Sequence, residues 1–189
     1  MFLFGHIGIT IGIFFILGYF RPDIHIRYWY VGLGAILPDI IDKIIGRVIF
    51  AETIANGRII AHTIIFSLIF FLVGYFLYRR SKDARILYIS GATFFHIIED
   101  RLWTVPQIFF WPMYGWKFPH GTPEDYWVDY FLNIFRNSFT PVFSLDFISE
   151  SIGLIIVIFI VLFINRKKKI SSDISTPALI SLHVKEHRK

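Results

Sequence analysis

Five stretches of this chain are apolar enough to read as membrane-spanning helices: residues 2–20, 28–45, 59–78, 84–98 and 148–164. A span needs about 20 mostly apolar residues to cross the hydrocarbon layer. The second and fourth stretches are the weakest, being short or interrupted. Pro38 lies inside the second, removing a backbone donor and predicting a kink or an end. Breaks of this kind are tolerated at membrane depth where the freed backbone faces protein or a wet cavity. The first stretch lacks a basic leader and a small-residue cleavage site, so it is read as a helix of the mature chain. The expected fold is an all-α integral membrane protein with about five transmembrane helices.

Polar residues interrupt these stretches at particular places. His6 lies in the first. Asp39 and Asp42 close the second, in Gly-Ala-Ile-Leu-Pro-Asp-Ile-Ile-Asp. His62 opens the third, and His96 and Asp100 close the fourth, in His-Ile-Ile-Glu-Asp. A charged or strongly hydrogen-bonding side chain in hydrocarbon costs roughly 2.5–3.5 kcal/mol even on lenient scales, so the default reading is a functional site. Orientation follows from the basic loops. Arg21, Arg27, Arg79, Arg80, Lys82, Arg85 and the run Arg166, Lys167, Lys168, Lys169 fall on one side. Lys43, Arg47, Arg58, Arg101, Lys117 and Arg136 are fewer and spread over longer loops on the other. The richer side is cytoplasmic, which puts the N-terminus outside and the tail inside. None of the six His and Asp residues entered that count, yet all six then fall on the extracytoplasmic side.

Spacing supports a shared centre. His96 and Asp100 are i and i+4 and share a helix face, as do Arg58 and His62; Asp39 and Asp42 are i and i+3. Imidazole and carboxylate without thiolate suit zinc, or manganese or iron, rather than calcium or magnesium. Three His and up to three Asp exceed what one tetrahedral ion needs, so a two-ion site with a bridging aspartate is also open. Taken singly, each residue has a plainer role. His6 reads as a histidine bonding a neighbouring helix, and Asp39 after Pro38 as a helix cap. Asp42 with Lys43 and Asp100 with Arg101 read as ion pairs. Together they would need four helices to gather such groups at one membrane level by chance.

Composition agrees with the class. Hydrophobic residues make up 55% of the 189 and aromatics 19%, above the ~45–50% apolar content of soluble domains. There is no cysteine, which excludes disulfides and thiolate metal sites. The net charge of +5 sits in short loops and the tail, a pattern of membrane orientation, so no specific nucleic-acid partner is expected. Residues 1–165 read as one transmembrane domain and 166–189 as a basic, disordered cytoplasmic tail in which His183 and His187 are bystanders. Within the domain, residues 101–147 are rich in Trp, Tyr and Phe. A helix opens there at Thr122-Pro123-Glu124-Asp125, with a good cap, a proline at the first position and acidic residues at the positive end. It reads as an amphipathic interfacial helix that anchors at the outer surface, roofs the site or guides a lipid toward it. His120, just before it, is a further ligand candidate.

The ordered motifs resemble a known family. An early His, then Gly-x-x-x-Pro-Asp-x-x-Asp, Arg-x-x-x-His-Thr, His-x-x-x-Asp and a Trp-Pro run through His6, Gly34 to Asp42, Arg58 to Thr63, Gly91 to Asp100 and Trp111-Pro112. This is similar to the membrane-bound metal-dependent hydrolases of bacteria and archaea, which include a LexA-binding inner-membrane group. More distantly it resembles helical zinc-dependent phospholipases C. The likeness covers roughly the first 115 residues. It implies a hydrolytic site with a divalent transition metal, most simply one or two zinc ions, at His6, Asp39, Asp42, His62, His96 and Asp100. The family often carries a further His before the Arg of the third motif, where this chain has Asn56-Gly57-Arg58. The expected function is hydrolysis of a phosphorylated lipid or similar amphiphile, with the membrane lipid as partner. Asp42 or Asp100 would bridge or orient water, and Arg58 or Arg101 would steady a phosphate. The alternative is a non-catalytic membrane protein with a structural metal or polar cluster, open to partner binding. Asp39 and His96 are expected within about 4–5 Å, because two ligands ~2.0–2.2 Å from one ion cannot be much farther apart.

Overall fold

A computed structural model of the chain describes residues 3–121 and 144–186, together with 129, 132, 133 and 135–137; side chains are described as far as residue 166. The described residues are helical, with no strand among them. In order they form α1 (Leu3–Phe20), α2 (Tyr28–Lys43), a π-helical turn (Ile44–Ile49), α3 (Ile64–Ser81) and α4 (Arg85–Glu99). A 3-10 turn (Leu102–Thr104), the short α5 (Pro106–Phe109) and α6 (Leu145–Glu186) follow. Among the described residues, three helices are long and apolar enough to cross a membrane: α1, α3 and the Leu145–Arg166 part of α6. The other two expected spans are helical but short. At 16 and 15 residues, α2 and α4 reach about 24 and 22 Å at 1.5 Å per residue, against a hydrocarbon core of about 30 Å. The helix through the basic tail continues to Glu186, across Pro177, over residues where the composition predicted disorder. The amphipathic helix expected from Thr122 falls mainly outside the described residues.

Two close crossings hold the bundle. On one side α1 packs against α6 through glycines. A Cβ on Gly8 would lie 2.0 Å from the Gly153 carbonyl oxygen, and one on Gly153 2.0 Å from that of Phe4. Small residues let backbones approach where no hydrophobic drive separates helix from lipid. Buried Glu150 of α6 accepts the Phe4 N–H at 2.8 Å, one of the first-turn donors that a helix cannot satisfy itself. On the other side α2 crosses α4 at Gly34, where a Cβ would lie 2.3 Å from the Ile89 carbonyl oxygen. Phe14, Val31 and Ala92 fill the space between α1, α2 and α4. Ile97, Leu102 and Ile108 form a second core beneath the turn that follows α4.

Candidate metal centre

Local sequence rules explain how each site residue reaches its place. Pro38 has no N–H to give the Gly34 carbonyl one turn earlier. The Thr93 hydroxyl of α4 donates to that carbonyl instead, at 3.2 Å. The neighbouring Ala35 carbonyl accepts from His96 Nδ1 at 2.6 Å. Gly34 and Pro38 thus dock α2 on α4 and aim His96 while placing Asp39 one turn on. Thr63 caps α3, its hydroxyl accepting the Phe66 N–H at 3.1 Å, so His62 stands just outside the helix start. Asp100 ends α4, and Arg101 after it takes a left-handed backbone with φ 53°.

Five of the six sequence-predicted ligands meet at one point. His62 Nε2 lies 3.6 Å from Asp39 Oδ1 and 3.9 Å from Asp100 Oδ2. His96 Nε2 lies 3.9 Å from Asp39 Oδ1 and 3.3 Å from His62 Nε2. His6 Nε2 lies 3.2 Å from Asp100 Oδ1, and its ring stacks on that of His96 with centroids 4.0 Å apart. Among the described residues two trios could hold a metal ion, His6 with His96 and Asp100, and Asp39 with His62 and His96. Bonds of ~2.1 Å in a tetrahedron put ligand atoms about 3.4 Å apart, which these separations bracket.

The sixth, Asp42, stands elsewhere than a ligand would. Both of its oxygens are committed. Oδ2 accepts from Ile59 N, His62 N and His62 Nδ1 at 2.7, 3.1 and 2.7 Å, and Oδ1 from Ala61 N at 2.9 Å. It holds the loop before α3 and the back of the His62 ring. Glu99, absent from the sequence-based set, does the same for His6: Oε2 lies 2.8 Å from His6 Nδ1, and Oε1 accepts from Thr10 at 2.8 Å. The available signal was Thr10, one turn from His6 on the same helix face, a polar pair in need of an acceptor.

All three imidazoles are therefore anchored at Nδ1, by Glu99, Asp42 and the Ala35 carbonyl. These partners only accept, so each neutral ring carries its proton on Nδ1 and offers a lone pair at Nε2. Lone pairs of His62 and His96 then face each other, and that of His6 faces Asp100; buried His6 Nε2 has no hydrogen-bond partner among the described residues. Such an arrangement repels itself unless a cation or a proton lies between. Anchoring of this kind is the arrangement that orients metal-ligating histidines. The surrounding charge points the same way, since Asp39, Asp42, Glu99 and Asp100 outnumber Lys43 and Arg58.

Two cations flank the cluster. Lys43 donates to Asp39 Oδ2 at 2.6 Å, turning Oδ1 inward, and Arg58 reaches Asp100 Oδ2 at 2.8 Å. Lys43 thus pairs with Asp39, and Asp100 with Arg58, in place of the neighbours expected from sequence. The histidines are sealed, at 1%, 0% and 0% exposure, while Asp39 is 17% and Arg58 43% exposed. Access is therefore from the Arg58 and Asp39 side. Arg101 and His120 are exposed, and His120 Nδ1 lies 2.7 Å from the Gly121 carbonyl oxygen. The segment before it is tied to the loop preceding Arg58, Asn56 donating to the Pro119 carbonyl at 2.7 Å.

No curated protein and no solved structure matches the chain significantly. A family model does, over residues 1–171, a range that takes in α1 to α5 and the apolar part of α6. With its apolar helices, the chain is a membrane protein and belongs to the YdjM inner membrane protein family.

Proposed function

We propose that this protein is a membrane-embedded, metal-dependent hydrolase of a phosphorylated lipid or similar amphiphile, working at the extracytoplasmic face. The observation that carries this reading is the meeting of three Nδ1-anchored imidazoles at one carboxylate-lined point beside the partly exposed Asp39 and Arg58. Zinc is the best match to imidazole and carboxylate donors without thiolate. His96 has one available lone pair and belongs to both trios, which favours one ion over two. When bound, it would supply Lewis acidity toward a phosphoryl or acyl oxygen and toward water. The chain's own groups supply the rest. His6, His62 and His96 hold the ion, and whichever of Asp39 and Asp100 is not a ligand accepts the proton of the attacking water. Arg58, half exposed at the opening, pairs with a phosphate oxygen. The excess of basic residues in the opposite loops supports an outward-facing site. Five spans, with short α2 and α4 held among the three long helices, fit that orientation, and a site at helix ends meets lipid headgroups.

Near-complete burial of the three histidines favours a second reading, a structural centre that staples the helices in a partner-binding membrane protein. Purified full-length protein decides between them. Hydrolysis expects about one transition-metal ion per chain and phosphate release from lipid phosphates that chelator and His96→Ala both abolish. Stoichiometric metal without turnover would leave the staple. Absence of metal, with activity surviving chelator and His96→Ala, would sink the hydrolase reading.

A further inference from the structure

A polar cavity lies at the end of the bundle opposite the histidine cluster. The α1–α2 loop and the α3–α4 turn line an open cleft of about 760 Å3. Arg21, Arg27, Lys82 and Arg85 line it against only two carboxylates, Asp23 and Asp83. Both carboxylates are engaged close by. Asp23 accepts from Nε and Nη2 of Arg21 at 3.0 and 2.8 Å. Asp83 accepts from Arg85 Nε at 2.6 Å and pairs with its Nη2. These bonds hold both carboxyls below their ordinary range, so they stay charged and occupied. Arg27 and Lys82 form no salt bridge among the described residues; the Lys82 ammonium lies 5.8 Å from the centre of the Tyr78 ring. The Tyr88 hydroxyl donates to the His25 carbonyl at 3.1 Å, tying α4 to the facing loop.

The neighbouring surface fixes the depth. Tyr19, Phe20 and Trp29, at the same ends of α1 and α2, are 76%, 72% and 79% exposed. Exposed aromatic residues at a helix end belong at headgroup level. A surplus of cations, two of them outside any salt bridge among the described residues, beside such a belt is the chemistry that draws anionic headgroups. The guanidinium fork of Arg27 matches two phosphate oxygens, and Lys82 adds a point charge.

We propose that this cleft binds a phosphate oxyanion, presented by the headgroup of an anionic phospholipid in the adjoining leaflet. A free phosphate compound would present the same chemistry. No residue of the cleft belongs to the histidine cluster, so the proposal stands apart from the hydrolase reading.

Native mass spectrometry of the purified full chain tests it, with phosphatidylglycerol, phosphatidylcholine and inorganic phosphate titrated separately. Phosphatidylglycerol is expected to bind about tenfold more tightly than phosphatidylcholine. The double variant Arg27→Gln, Lys82→Gln should lose that preference, while Arg79→Gln, Arg80→Gln, with equal charge loss outside the cleft, keeps it. Inorganic phosphate bound without any lipid preference, and lost in the cleft variant alone, would support the oxyanion site with a soluble source. Equal binding of both lipids with no phosphate bound would overturn the proposal, and so would equal weakening by the two double variants.

Discussion

Asp42 lies in the last turn of α2 with both oxygens taken by three backbone N–H groups and the His62 ring. Asn is nearly isosteric but replaces one acceptor with a donor, leaving buried N–H groups facing N–H. Asp42→Asn is therefore expected to cost about 1.5–3 kcal/mol, the range for hydrogen bonds to a charged group. It should also weaken metal binding roughly 10–100-fold, as loss of a ligand's supporting carboxylate does. Thermal melting and metal content of the variant check both; full occupancy at unchanged melting temperature would deny Asp42 its anchoring role. Glu99→Gln leaves one acceptor oxygen for His6 and Thr10 together, and a smaller loss, about tenfold in metal affinity, is expected. In sequence Asp39 and Asp42 look alike, two carboxylates one turn apart. Only the course of the 44–62 loop under Asp42 makes one a candidate ligand and the other its support.

Helix crossings carry the next level of control. The α2–α4 contact depends on Gly34, since a Cβ there would meet the Ile89 carbonyl oxygen at 2.3 Å and the Ala92 Cβ at 2.8 Å. Both neighbours are parts of helices and cannot swing away. Gly34→Ala should push α4 off α2, stretching the bonds from Thr93 and His96 to the α2 carbonyls, at an overpacking cost of about 1–3 kcal/mol. Metal affinity is expected to fall at least tenfold in a chain that still inserts, as read by metal titration beside membrane fractionation. Gly153→Leu acts at the other crossing. It should separate α1 from α6 and release the Phe4 N–H from Glu150, lowering the melting temperature in detergent, whereas Leu at lipid-facing Ile155 should not.

At the scale of the molecule, stability and sidedness carry the tests of the proposed metal and of the orientation. An ion that binds the folded chain alone adds about 2.7 kcal/mol when present at 100 times its dissociation constant. Chelator should therefore lower the melting temperature, and added zinc should restore it in the wild type but not in His62→Ala. An unchanged melting temperature would argue against any tightly held ion. The absence of cysteine makes sidedness simple to measure. In intact cells a membrane-impermeant thiol reagent is expected to label Lys117→Cys and to spare Arg80→Cys until the membrane is opened. The reverse pattern would move the histidine cluster to the cytoplasmic side.

The helical class, the five apolar segments and the end of the bundle where His and Asp gather were legible from sequence alone. Hydropathy is a local property of a 20-residue window, and alternating helix direction then assigns each polar residue to an end. The nearness of Asp39, His62 and His96 was legible too, because ligand types on successive helices at one level point to one centre. Three matters were decided only by tertiary structure. One was the division of carboxylates, with Asp42 and Glu99 behind the rings and Asp39 and Asp100 in front; spacing gives a helix face but not which oxygen meets which nitrogen. Another was the pairing of Lys43 with Asp39 and Arg58 with Asp100, which crosses turns and helices in place of chain neighbours. The last was the task of Pro38, expected as a break in α2. It leaves the Gly34 carbonyl without its helical donor, and only the approach of α4 supplies Thr93 as a new one.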